Sequence, residues 1–147
     1  MATISLSNTE AITCCNAIVD SADVGVTQAN PVLRIYSGSV PGLVDDALGA
    51  QVILAELNMT NPAFGAAVDI APGARATANA ISDDTSANAT GTASFFRIFD
   101  RQATAKAVIQ GSVSATGGGG VLELNSTAIQ SGAIVRVTSL TITVLEA

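Results

Sequence analysis

Histidine and tryptophan are absent from this 147-residue chain, lysine occurs once, at Lys106, and only 3 % of the residues are aromatic. Without histidine there is no imidazole to act as a base beside a serine or cysteine, and the commonest side-chain metal ligand is missing. Charge is scarce as well. Asp, Glu, Lys and Arg together make up 12 % of the chain, against about 25 % in an ordinary soluble domain. The six cations are scattered from Arg34 to Arg136 and face twelve acids, a net charge of −6. A phosphate-binding surface needs clustered cations to release counterions, so the charge pattern argues against a nucleic-acid partner. The two cysteines, Cys14 and Cys15, are neighbours. Adjacent cysteines bridge only through a distorted peptide, so two thiols are expected, as in a reducing cytoplasm, with no metal role. No apolar run reaches the roughly 18 residues of a membrane span. The start, "MATISLSNTE", lacks the basic and apolar regions of a secretory signal, so the expectation is a soluble protein that matures where it is made.

What the chain has in quantity is small apolar residue: 48 % is hydrophobic. A chain of this length buries roughly 68–70 % of its unfolded surface and needs no disulfide or metal staple. One domain is expected, with residues 1–30 as a helical N-terminal arm and residues 31–147 as the body. A surface with so little charge disperses a free monomer poorly, which favours an assembly that covers it.

Periodicity divides the chain into one helix and a series of strands. Ser7 and Glu10 have the spacing of a capping box, and Ala11, Ile12, Cys15, Ile18, Val19 and Ala22 recur on one helical face. Gly25 and Asn30–Pro31 end that segment. From Pro31 the period becomes two. "VLRIYSG" turns Leu33 and Ile35 one way and Val32, Arg34 and Tyr36 the other; in "QVILAEL", Ile53, Ala55 and Leu57 share a face. "NPAFGAAVDIAPG" reads as edge pieces or a folded loop because of its prolines and glycine. "ARATANAI", "SFFRIFD", "TAKAVIQGSVS" and "VLELNS" read as further strands. In the last segment, "AIVRVTSLTITVLE", Val135 and Val137 are apolar on one parity and Leu140, Ile142 and Val144 on the other. A bulge or bend near Thr138 and Ser139 would restore a single buried side. Short strands with regular turn signals and no βα alternation predict a mainly β fold, an antiparallel sandwich of jelly-roll type with one short N-terminal helix.

Catalytic constellations are weak. Asp45–Asp46 and Asp83–Asp84 are adjacent pairs whose side chains diverge in an extended chain, whereas acid–base catalysis needs convergence. "DDTSAN" resembles the opening of a calcium loop, but the glycine is missing and Phe95 stands where the closing acid belongs. A solvated turn is the reading it supports. The run Gly117–Gly120 leads into a strand, not a helix, and reads as a flexible connection instead of a phosphate cradle. The three Asn-X-Thr triplets at Asn58, Asn88 and Asn125 carry no meaning without secretion. Neither enzyme activity nor a cofactor, metal or small-molecule substrate is expected.

One stretch stands out. "SFFRIF" holds three of the four phenylalanines. Phe96 and Ile98 suit the core, which leaves Phe95, Arg97 and Phe99 on the outer face. Burying each phenylalanine is worth about 1.5–3 kcal/mol, so a cover is expected, either the N-terminal helix or a second subunit. In the second case the three residues form an interface, Arg97 meeting a carboxylate across it.

The segments "LSNTEAI", "LRIYSGSVPG", "ILAELNMTNPAFGAA", "DDTSANATGTASFFRIFD" and "TSLTITV" together resemble a family of small virion proteins of tailed bacteriophages, some of which are similar to jelly-roll cement proteins on the outside of phage heads. "CCNAIVDSADVGVTQAN" departs from the family by lengthening the approach to the first strand. The resemblance implies a cement or decoration protein, made in the host bacterial cytoplasm and located on the capsid exterior. It would bind the outer surface of the major capsid protein, as a homodimer, and stabilise the head. The alternatives are a tail or fibre component and a jelly-roll glycan-binding adsorption module. The shortage of tyrosine and the lack of tryptophan weaken the last of these.

Overall fold

Ser7 opens the helix that the apolar spacing anticipates. In the computed structural model, which describes residues 4–146, α1 runs Asn8–Asp20 and the Ser7 hydroxyl accepts the Glu10 amide at 3.3 Å. Such a cap is worth about 1 kcal/mol. A 3₁₀ turn, Ser21–Asp23, continues the helix. The buried stripe is Ala11, Cys15, Val19 and Ala22, while Ile12 is half-buried and Ile18 exposed. These side chains are short, so the helix lies close against strands whose facing residues, Ala74 and Ala76, are also small and fully buried.

Ten strands follow: β1 Val32–Ser37, β2 Val52–Asn58, β3 Val68–Asp69, β4 Gly73–Thr77, β5 Gly91–Thr92, β6 Phe95–Phe99, β7 Ala107–Ala115, β8 Leu122–Leu124, β9 Ala128–Ile129 and β10 Val137–Leu145. Eight form one sheet in the order β2-β1-β6-β7-β8-β10-β4-β3, and β5 pairs with β9 in a second, two-stranded sheet. The fold is thus mainly β with one short helix, as the periodicity implies. The large sheet, however, is mixed. β7 and β8 are parallel, with Val113 opposite Leu122 and Ala115 opposite Leu124.

A parallel pair normally needs a crossover of a dozen residues or more. Here six suffice, from Thr116 to Val121, because the glycine run turns sharply. Gly117 and Gly119 have φ of 80° and 77°, and a Cβ on Gly120 would lie 2.8 Å from the Ser114 amide nitrogen. The Glu123 carboxylate accepts the amides of Gly117 and Gly119, both at 3.1 Å, and the Ser114 hydroxyl accepts that of Gly120 at 2.9 Å. The expected flexible connection is therefore a hydrogen-bonded return whose geometry requires glycine.

Two bulges set which residues face inward. The β10–β8 register shifts between Val137 and Ser139, where the change of apolar parity anticipates it, and Val135 and Leu140 are both buried. In β2 the register shifts opposite Ile35/Tyr36, leaving Leu54 as the extra residue. The inward set there is Leu54, Ala55 and Leu57 instead of Ile53, Ala55 and Leu57, since the bulge turns Leu54 into the core.

The sheet curls far enough to bring the end of β2 to the continuation of β4. Residues that continue β2 pair with residues that continue β4: Met59 bridges Ile81, Thr60 N–H donates to the Ala80 carbonyl at 3.2 Å, and Ser82 N–H donates to that of Asn58 at 2.9 Å. Farther along β2 the Asp84 carboxylate accepts the Glu56 amide at 3.0 Å, and Asn88 N–H donates to the Leu54 carbonyl at 2.8 Å. At the opposite end β3 is two residues long and is tied to the helix, with Asn16 Oδ1 accepting the Ala67 amide at 2.8 Å and Asn8 donating to Asp69 at 2.6 Å. Residues 8–23 share one apolar core with the strands. The anticipated arm is a wall of the body, held by its own buried stripe and by Asp23, whose carboxylate accepts the Ala63 amide at 3.0 Å.

Candidate functional site

Alternation in β1 and β6 places Tyr36, Arg34 and Val32 on one face, directly opposite Phe95, Arg97 and Phe99. Phe96 and Ile98 point to the other side and are fully buried in the main core, as their spacing predicts. The outer face carries a row of polar side chains across four strands: Glu56, Arg34, Arg97 and Gln110 are successive cross-strand neighbours.

The helix does not cover this face; the chain's own connection between β1 and β2 does. The Arg97 guanidinium donates to Gln110 Oε1 at 2.9 Å, to the Asp46 carbonyl at 3.0 Å and to the Leu43 carbonyl at 3.2 Å. Gln110 in turn donates to the Pro41 carbonyl at 2.9 Å, and the Ser94 hydroxyl donates to that of Gly38 at 2.8 Å. Under this strap the Tyr36 ring stacks on Phe95, with centroids 4.9 Å apart and planes 10° apart. Phe95 is 0 % and Arg97 4 % exposed. Both are buried in the single chain, and of the three expected interface residues Phe99, half-buried, is the most exposed. Arg34 lies over the Phe99 ring at 4.6 Å from its centroid and pairs with Glu56 at 2.5 Å. Burial pushes the Tyr36 phenol above its usual range, opposed by the Arg34 charge. A phenol so placed is a packing group and not a base at neutral pH.

Beside Arg97 an open depression of about 530 Å³ runs between the strap and β7. Phe99 and Val108 contribute apolar surface to it; Ser21, Asp45, Arg97 and Lys106 contribute polar groups. Sequence reasoning singled out Arg97 and Phe99 but not Lys106 or Ser21, which come from distant segments with no local pattern to mark them.

The remaining candidates have structural roles. Asp83 pairs with Arg136 at 2.8 Å, and that hydrogen bond holds its carboxyl below the usual range. Asp84 spends one oxygen on the Ser86 amide at 2.9 Å and the other on that of Glu56. The "DDTSAN" turn is thus less a solvated loop than an edge cover for β2. The Asp46 carboxylate accepts the Leu43 amide at 2.8 Å and shapes the strap. Cys14 and Cys15 are free thiols; burial pushes the Cys15 thiol up, away from the reactive thiolate. Among the described residues no cluster of three or more His, Cys, Asp or Glu side chains is gathered as for a metal, and no helix is long and apolar enough to cross a membrane.

No family model, no curated protein and no solved structure matches this chain.

Proposed function

We propose that this chain is a structural virion protein, a cement or decoration protein that binds the outer surface of the major capsid protein of a tailed phage as a homodimer. The reading is non-enzymatic. The observation that carries it is the exposure of large apolar side chains on a surface poor in charge. Ile4, Val26, Leu43, Val68 and Leu145 are all more than half exposed, up to 90 % at Val26. A specific interface takes about 800 Å² per partner, roughly a tenth of the 7572 Å² that the chain presents.

The strand edges support assembly through faces and loop tips. With residues 80–88 along β2, that end of the large sheet offers no bare ladder for strand addition, and β3 at the other end is only two residues long. A jelly-roll sandwich goes with this reading, since the large sheet turns back on itself; the parallel β7–β8 pair is its departure from that pattern. The aromatic residues favour cement over a glycan-binding module. Sugar stacking needs a bare ring face, yet Tyr36, Phe95 and Phe96 are no more than 1 % exposed and Phe99 lies under Arg34.

The test is a stained gel of purified particles of the phage that encodes the chain. Cement requires the 14.6 kDa band at a molar amount set by capsid symmetry, comparable to the major capsid protein. A trace band would overturn this reading in favour of a tail component.

A further inference from the structure

Five of the six cations, the arginines, are held within the chain, Arg97 by the three hydrogen bonds to Gln110, Asp46 and Leu43. Arg34 pairs with Glu56, Arg136 with Asp83, Arg101 donates to the carbonyls of Gln28 and Asp23, and Arg75 reaches Thr143. Arg97 and the single lysine, Lys106, converge on the depression beside the strap. Arg97 is 4 % exposed and its three hydrogen-bond partners are all neutral. A buried guanidinium that meets no carboxylate is costly, and each terminal nitrogen keeps one further N–H to give. Lys106, on the rim, is exposed. Asp45 is the single acid lining the depression, and it makes no ion pair within 4.0 Å to either cation. Among the lining side chains two cations stand against one acid, on a chain whose net charge is −6.

We propose that the depression binds a carboxylate carried on an apolar segment of a protein partner. The acid enters between Arg97 and Lys106, and the apolar atoms beside it rest on Phe99 and Val108. Three features select that ligand. The planar guanidinium matches a carboxylate, the apolar surface asks for a carbon skeleton next to the acid, and the chain's overall negative charge disfavours capture of a free, highly charged anion from solution. The inference rests on the assembly reading for the kind of partner only; carboxylate binding is measurable on the isolated chain, so its failure leaves the copy-number test untouched.

The experiment titrates the full-length, ¹⁵N-labelled protein with 4-methylpentanoate, a leucine-like carboxylate. The uncharged 4-methylpentanamide and inorganic phosphate serve as comparison probes, and the side-chain resonances of Arg97 and Gln110 are followed. Expected are saturable shifts with the carboxylate, with a dissociation constant on the order of 1 mM for so small a ligand, and none with the amide. Lys106→Gln, an exposed change, is expected to weaken binding about threefold and Asp45→Asn to tighten it by a similar factor. No saturable shift with the carboxylate would overturn the proposal. So would equal shifts from the amide, equal or stronger binding of phosphate, or unchanged affinity in both variants.

Discussion

The Tyr36 ring lies flat on that of Phe95, 4.9 Å between centroids, on the side of the sheet away from the main core. The pair is a small second core, closed by the strap that Arg97 and Gln110 hold down. Phe95 and Phe99 share a strand, a face and a side-chain type, yet one is enclosed by the chain and the other is not.

Substitution should separate them. Phe95→Ala is expected to lose about 3–5 kcal/mol of unfolding free energy, the usual cost of deleting a buried aromatic ring. Phe99→Ser should cost less than about 2 kcal/mol, because solvent and Arg34 already share its surface. Denaturant unfolding of the two variants reads the difference directly. Equal losses would mean that the strap does not enclose Phe95.

The glycines of the parallel return are a second point of leverage. Gly120→Ala places a methyl group 2.8 Å from a backbone nitrogen that cannot move without breaking the β7–β8 pairing. A loss of about 1–3 kcal/mol is expected. Gly49, in the strap, has nothing within 4 Å of its would-be Cβ, and Gly49→Ala should leave stability within about 0.5 kcal/mol of the parent. Thermal unfolding of both variants tests whether the glycine run is built or merely flexible.

Two carboxylates give opposite pH responses. Burial, the largest cause, raises the Asp23 carboxyl above its unfolded value, with the Ala63 amide opposing and Asp20 reinforcing. Stability from the protonated form is therefore present at low pH and lost as pH rises through the raised folded value. Asp83 is the reverse. Arg136 lowers its carboxyl, so its contribution is present above the ordinary carboxylate value and lost as pH falls through the lowered one. Relative to the parent, Asp23→Asn should gain in stability as pH rises through the acid range, and Asp83→Asn should lose. Unfolding midpoints from about pH 3 to pH 7 check both signs.

The difference between Phe95 and Phe99 also marks how far the sequence could be read. Alternation sorted "FFRIF" correctly into an inner pair, Phe96 and Ile98, and an outer set, because side-chain direction in a strand follows from the backbone alone. The cover for the outer set lies some fifty residues earlier, in "SVPGLVDDALG", a stretch with no periodicity. Its position depends on backbone carbonyls of Leu43 and Asp46, and carbonyls have no sequence signature. The tetraglycine run misled for a related reason. Composition reports conformational freedom, but the Glu123 carboxylate that uses the freedom returns from the next strand.

The sequence by itself determined the elements whose cause is local. These are the Ser7-capped helix with its stripe of short side chains, the inward residues of β1 and β6, and the bulge at Thr138, where apolar parity changes. Only the tertiary structure decided which strands are neighbours, that β7 and β8 run parallel, that residues 80–88 close the edge of β2, and that Arg97 and Lys106 share one depression. Local pattern records what each residue needs from its immediate neighbours. Pairing order and convergence depend instead on contacts between segments tens of residues apart, and those are selected by the burial and hydrogen bonding of the whole chain at once.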